Sequence, residues 1–285
     1  NAGNDVLFGG TGGADTLYGG EDNDTLNGGL DTDSLFGDAG DDVLYADQQF
    51  GGLSQEGADT LFGGDGNDTL FLNPNANLRG GEAFGGTGND AIHGTGFGDL
   101  IEAGTGDDFV FAGAGDDTVR GGEGNDFIDA EAGNDNVQGD RGDDTLRGRA
   151  GNDTVIGGEG NDDLMGEVGD DSVSGDAGND FVSGGEGTDT LSGGDGNDSV
   201  SGGTENDEVR GNAGNDTLIG DGGVDVINGG AGNDWLSHAF ARKPLQIDLS
   251  DPLPQATGRS TDLIRGVENL QGGKGGDRLT GGDQG

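Results

Sequence analysis

From Asp90 onward an aspartate returns every ninth residue without a miss: Asp90, Asp99, Asp108, Asp117, Asp126, Asp135, Asp144, Asp153, Asp162, Asp171, Asp180, Asp189, Asp198, Asp207, Asp216, Asp225 and Asp234. Two positions after each stands an aliphatic side chain, from Ile92, Ile101 and Val110 through to Ile227 and Leu236. A low-complexity linker has no reason to hold two chemical types in phase over such a length. A fixed period of this kind means one small structural unit per repeat, stabilised by stacking on its neighbours.

The same unit runs upstream with interruptions. Asp15, Asp24, Asp33 and Asp42 keep the nine-residue step, as do Asp59 and Asp68. Eight extra residues around QQFGGLSQ separate Asp42 from Asp59, and the step from Asp68 to Asp90 is 22. In the second interval Ala76 stands where an Asp is expected and Leu78 where the aliphatic is expected. The chain therefore divides into interrupted repeats over 1–84, with insertions near 46–57 and 71–84, and an unbroken array of 17 nonapeptides over 85–237. Residues 238–271 hold three of the four prolines and read as a non-repeat insertion or cap, in which LQIDL alternates like a strand. A partial repeat around Asp277 occupies 272–285. The chain opens on NAGND and closes on GGDQG, both truncated versions of the repeat, and is expected to be a piece of a longer protein.

Charge then narrows the options. Acids outnumber bases 57 to 12 for a net charge of −45, and the apolar residues reach only 28%. Low hydrophobicity with high like charge ordinarily leaves a chain disordered unless something neutralises it. The neutraliser must be cationic, so nucleic acid is excluded as a partner. There are no cysteines for disulfides or thiolate metal sites, and no apolar run is long enough to span a membrane.

The nonapeptide itself reads as a turn followed by a very short strand. Glycine, Asn and Asp at the turn tolerate left-handed backbone, and the aliphatic centres a three-residue strand with its side chain inward. Two nonapeptides then make one 18-residue coil, and turns 18 residues apart stack directly. One aliphatic side chain contributes ~1.5–3 kcal/mol, whereas ordering the backbone costs roughly 1–2 kcal/mol per residue. Stacked carboxylates add repulsion. A hard cation between the turns resolves this, and an irregular oxygen-only site suits Ca²⁺ better than Mg²⁺ or zinc.

The pattern GGxGxDxUx, with U a large aliphatic, resembles the calcium-binding nonapeptide of the RTX (repeats-in-toxin) family over roughly 1–237 and 272–285. The resemblance implies an all-β fold, a parallel β-roll or right-handed β-solenoid of 18 residues per coil, with many Ca²⁺ ions. It also implies a protein exported from a Gram-negative bacterium by type I secretion, which folds outside the cell on meeting calcium. The family's ligand scheme joins two turns 18 residues apart. One gives the carbonyls of its second and fourth positions and its Asp, the other the carbonyls of its first and third positions and its Asp. One site would use Gly86, Gly88 and Asp90 with Ala103, Thr105 and Asp108. Carried along the array, the scheme adds carbonyls of Gly104, Gly106, Gly121, Glu123, Gly122, Gly124, Gly142, Gly158, Gly160, Gly178, Gly194, Gly196, Gly214, Gly230 and Gly232 to the Asp ligands. Pairing turns in this way gives fifteen sites in the unbroken array and two more from Asp15/Asp33 and Asp24/Asp42, within a range of about 15–20 ions.

The two rows of turns differ. In the row containing Asp90, Asp108 and Asp126, the fourth position is always Gly and the fifth always Asn or Asp. In the row containing Asp99, Asp117 and Asp135, the fourth position includes Phe97 and Glu205, and the fifth Gly98, Thr188 and Val224. Well-ordered calcium is expected along the first row, with weaker or missing ions near Asp99 and from Asp189 to Asp225.

Other chemistry finds little support. His93 and His238, the two histidines, lie outside any HExxH motif and read as surface residues. There is no GxSxG elbow and no EF-hand loop. The third loop position varies too widely for a flat ice-binding array. No enzyme activity is expected within this chain. Two alternatives to a calcium-triggered folding module stay open: part of a calcium-dependent surface layer, adhesin or matrix protein that self-assembles or contacts a cell surface, and the accessory roll of a secreted enzyme whose catalytic domain lies elsewhere. Phe109, Phe111, Phe127 and Phe181 are placed on strand exteriors, and Trp235 against the cap.

Overall fold

In the computed structural model the described residues are 2–46, 57–72, 79–238, 245–251, 253–257, 261–273 and 277–280. Every regular element among them is a β-strand. The chain divides into two units, Asn1–Arg149 and Ala150–Gly285.

In the first unit successive strands alternate between two sheets, and each strand pairs in parallel with the strand one coil later in the same sheet. Leu100–Thr105 pairs with Thr118–Glu123, placing Ile101 beside Val119. Phe109–Phe111 pairs with Phe127–Asp129, placing Val110 beside Ile128. The inward columns are Leu26, Leu44, Leu70, Ile92, Val110, Ile128 and Leu146 from one sheet, and Leu35, Leu61, Ala83, Ile101, Val119 and Val137 from the other, all 0% exposed. This is the parallel β-solenoid that the nine-residue clock requires: a two-residue alternation aims one aliphatic per strand at the core.

The longer intervals leave the register intact. Leu35 pairs with Leu61 and Leu44 with Leu70 across the first insertion. Leu61 pairs with Ala83, and Ala83 with Ile101, across the second. Ala83 therefore fills the aliphatic slot and Gly81 the acid slot of the degenerate coil. This corrects the assignment to Leu78 and Ala76, which lie outside the described residues. Counting in nines from Asp68 misses the slot, because Gly81 follows Asp68 by thirteen residues rather than nine.

The second unit repeats the plan from Thr154–Glu159 to Val226–Ala231 and from Asp163–Val168 to Trp235–Ser237. Residues 261–271, read from the sequence as part of a non-repeat cap, form one further coil. Thr261–Arg265 pairs in parallel with Val226–Ala231, with Ile264 beside Ile227. Asn269–Gln271 pairs in parallel with Trp235–Ser237, with Leu270 beside Leu236. Between these coils the short strands Gln246–Asp248 and Gln255–Ala256 pair antiparallel, and the last repeat strand, Arg278–Thr280, joins Gln246–Asp248 in parallel.

Two local expectations need correction. Many strands have six residues rather than three, because the chain stays extended into the glycine pair; Thr118–Glu123 is one. The histidines are not bare surface groups. His93 stacks between Phe71 and Phe111, at ring-centroid distances of 4.8 and 5.5 Å, and His238 is 7% exposed.

Candidate metal centre

Every repeat Asp from Asp24 to Asp234 is buried, although a lone carboxylate belongs in water. Its two oxygens have separate fates. Oδ1 accepts the backbone N–H of the Asp one coil earlier: Asp90 N–H to Asp108 Oδ1 at 2.7 Å, Asp108 N–H to Asp126 Oδ1 at 2.9 Å and Asp99 N–H to Asp117 Oδ1 at 2.7 Å. The second unit shows the same link, as in Asp198 N–H to Asp216 Oδ1 at 3.0 Å. These bonds fix the carboxylate plane and stack the acids into two rows.

Oδ2 is sealed from solvent with no hydrogen-bond donor in Asp24, Asp42, Asp68, Asp90, Asp108, Asp117 and Asp126 of the first unit. The same holds for Asp171, Asp189, Asp198, Asp207, Asp216, Asp225 and Asp234 of the second. Buried polar atoms are almost always partnered, so repeated orphaned acceptors in register are suited to a cationic partner. Burial pushes the Asp117 carboxyl up to about 8, against the lowering effect of the Asp99 N–H, and the carboxylates of Asp99 and Asp135 push it further. Burial likewise raises Asp90 and Asp126 to about 7 and Asp68 and Asp108 to about 6. In the second unit Asp171 and Asp207 are raised to about 7 for the same reason.

The turns present carbonyl oxygens beside these acids. The expected set of Gly86, Gly88, Asp90, Ala103, Thr105 and Asp108 is brought together across two adjacent coils. Gly88 N–H donates to the Thr105 carbonyl at 2.7 Å, and Asp90 is tied to Asp108 as above. The carbonyls of Gly86 and Gly88 lie so close to Gly104 and Gly106 that a Cβ on either glycine would strike them. Gly122 and Gly124, before Asp126, adopt φ of 121° and 132°, the left-handed backbone that a turn of this shape requires. Among the described residues no three Asp, Glu, His or Cys side chains converge on one point. Any cation held here must take much of its shell from backbone oxygen, which suits Ca²⁺ and rules against zinc.

The second turn position, held by Gly122 before Asp126, also admits Asp, Asn, Glu and Arg. Asp140, Asn212, Glu167 and Arg149 adopt φ of 76°, 77°, 79° and 80° there. Glu205, at the fourth position before Asp207, does the same at 74°, and its carboxylate meets Gly187 N–H at 3.2 Å. The acids Asp189, Asp207 and Asp225 of that stretch keep the same orphaned Oδ2 as their neighbours. Asp99 does not: both of its oxygens have protein donors.

The RTX calcium-binding nonapeptide repeat profile matches residues 1–44, 55–77, 84–236 and 265–284, in overlapping copies. The chain belongs to the RTX calcium-binding repeat family. The gaps between its matched segments fall on the two insertions and on the stretch between the last array strand and the final coils. A comparison with curated proteins finds none that matches. The buried carboxylates fit the calcium this family binds, because their orphaned Oδ2 atoms and adjacent turn carbonyls form an all-oxygen donor set. When bound, the ion supplies the positive charge that lets those carboxylates stay ionised in the interior.

Sequence reasoning missed the outer ladder of the turns. The fifth-position Asn or Asp uses its Oδ1 to accept the backbone N–H of the equivalent residue in an adjacent coil: Asn125 N–H to Asp107, Asp143 N–H to Asn125, Asn197 N–H to Asn179 and Asn215 N–H to Asn197, at 2.7–2.9 Å. The signal was visible as the rule that this position is always Asn or Asp in one row.

Proposed function

We propose that this chain is the calcium-responsive module of a type I-secreted bacterial protein, unfolded where calcium is scarce and folding as a β-roll when it meets extracellular calcium. One observation carries the reading: in each unit, rows of buried carboxylates present an oxygen without a donor. At neutral pH these groups oppose the calcium-free roll, since desolvation and mutual repulsion both favour releasing them to water. Calcium binding and folding are then one equilibrium. In this reading the acids are ligands rather than acid–base catalysts, and any catalysis of the parent protein lies in other sequence.

Size-exclusion chromatography with light scattering tests this directly. In EGTA the chain elutes as an expanded monomer, and millimolar calcium collapses it without a change of mass. An unchanged radius sinks the folding-switch reading. A calcium-dependent rise in mass transfers support to surface assembly.

A further inference from the structure

We infer that the second acid row of the first unit contains a calcium-free section, closed by an apolar plug at Gly81 and by threonine donors at Asp99. This rests on the reading that the other acids of the roll hold calcium.

The first observation is a paired exchange. In the intact coils a strand's second inward position is a small residue, and the carboxylate of the following Asp lies over it. A Cβ on Gly85 would collide with Asp90 Oδ2, and one on Gly121 with Asp126 Oδ2. In the degenerate coil both partners change. The small residue becomes Leu72, 1% exposed, and the acid becomes Gly81. Leu72 keeps its place in the stack, donating its N–H to the His93 carbonyl at 2.8 Å just as Gly94 donates to that of Phe111. A Cβ built on Gly81 would lie 2.8 Å from Leu72 Cδ2. A leucine side chain therefore occupies the volume that a carboxylate takes elsewhere, and it offers a cation nothing.

The second observation concerns the next coil. Asp99 is 4% exposed and sits over Gly94 as the other acids sit over their small residues. Its Oδ1 accepts Gly81 N–H at 2.6 Å, which continues the row. Its Oδ2, the orphan elsewhere, accepts Thr95 N–H at 2.6 Å, and the Thr95 hydroxyl stands 3.1 Å from Oδ1. The same hydroxyl bridges to the backbone of Phe97 at 3.0 Å. Thr95 and Phe97 do not share the left-handed backbone of the glycines at these two slots in other turns. The turn has been rebuilt so that its own N–H and O–H replace the charge of an ion.

The device recurs independently in the second unit. Asp262 takes the next place in the second row, accepting Asp225 N–H at 3.1 Å, and its other oxygen accepts the Thr257 hydroxyl. A threonine thus satisfies the acid at the closing coil as well. Calcium on the second row of the first unit is confined to the coils on either side of Gly81 and Asp99, while the first row runs through Asp68, Asp90 and Asp108 without a break.

A calcium anomalous map from crystals of the full chain grown in calcium decides the matter. Peaks are expected between the turns of Asp68, Asp90 and Asp108, and none near Asp99 or Gly81. A peak within about 2.3–2.6 Å of an Asp99 oxygen overturns the inference. Absence of peaks along both rows instead overturns the calcium reading on which it rests. A second measurement uses the double variant Thr95→Gly/Phe97→Gly, which restores the glycine turn. Equilibrium dialysis should then show a gain of about one bound ion per chain over the unaltered protein. A variant that reaches the same compact radius in calcium with no gain in bound ions overturns the role given to Thr95.

Discussion

Asp126 divides its oxygens between two tasks, one accepting a backbone N–H from Asp108 and the other facing the inward glycine of its own repeat. The slot of Gly121 is limited by space rather than by backbone conformation. In three neighbouring repeats the equivalent slot holds a buried alanine, Ala103, Ala112 or Ala130, so the carboxylate can yield to a methyl group. Gly121→Ala should leave calcium-loaded stability nearly unchanged. Gly121→Val should lower it by about 1–3 kcal/mol, since the extra bulk displaces Asp126 and overpacks the interior. Chemical denaturation of both variants in calcium checks the contrast, and equal losses would show that the slot is not shaped by the carboxylate. The sequence displayed this glycine plainly, yet its reason lay in contact with a side chain five residues away.

At the scale of the strand and turn, the roll carries ladders that a single repeat cannot reveal. Tyr18, Phe36, Phe62 and Phe84 stack on one sheet of the first unit at 4.7–4.9 Å between centroids. Tyr45, Phe71, His93 and Phe111 continue the pattern on the other. Parallel in-register pairing makes this automatic, because any outward residue repeated at the coil spacing lands on its copy. Phe127 contacts Phe109 and Phe111 at ring-centroid distances of 5.9 and 5.8 Å. The amide ladder follows the same logic and adds an electrostatic rule. Along Asn89, Asp107, Asn125 and Asp143 no Asp follows another, which avoids like charges directly opposite. Converting Asn179 and Asn197 together to Asp should cost more than the two single changes summed, by about 0.2–1 kcal/mol. High salt should shrink that excess. An additive double variant would show that the alternation has no energetic weight.

For the molecule as a whole, charge and protons set the conditions for folding. Burial, the largest cause, raises the carboxyls of Asp68, Asp90 and Asp117 from an ordinary 3.8 in the open chain to about 6, 7 and 8 in the roll. Because the folded value is the higher one, protonation favours the folded form. That contribution is complete below the unfolded value and fades as pH climbs through about 6–8. The calcium-free chain should therefore gain β-structure and lose radius on going from pH 8 to pH 5, followed by circular dichroism and size-exclusion chromatography. With calcium present the dependence should reverse, since protons and the cation compete for the same oxygens. A calcium-free chain indifferent to pH over this range would show that the buried carboxyls do not govern its folding.

The repeat alone determined that the chain winds in 18-residue coils, which side chains point inward, and that its acids stack in two rows. Those features follow from strict periodicity, because stacking identical units leaves each residue type one possible neighbour, its own copy. Only the tertiary structure decided what happens where the period breaks. It placed Gly81 and Ala83, not Ala76 and Leu78, in the degenerate coil, drew Thr261–Arg265 and Asn269–Gln271 into a further coil, and buried His238. It also showed Leu72 standing where a carboxylate should be and Thr95 satisfying Asp99. These depend on volume and hydrogen-bond direction at single sites, and a residue's distance along the chain carries neither.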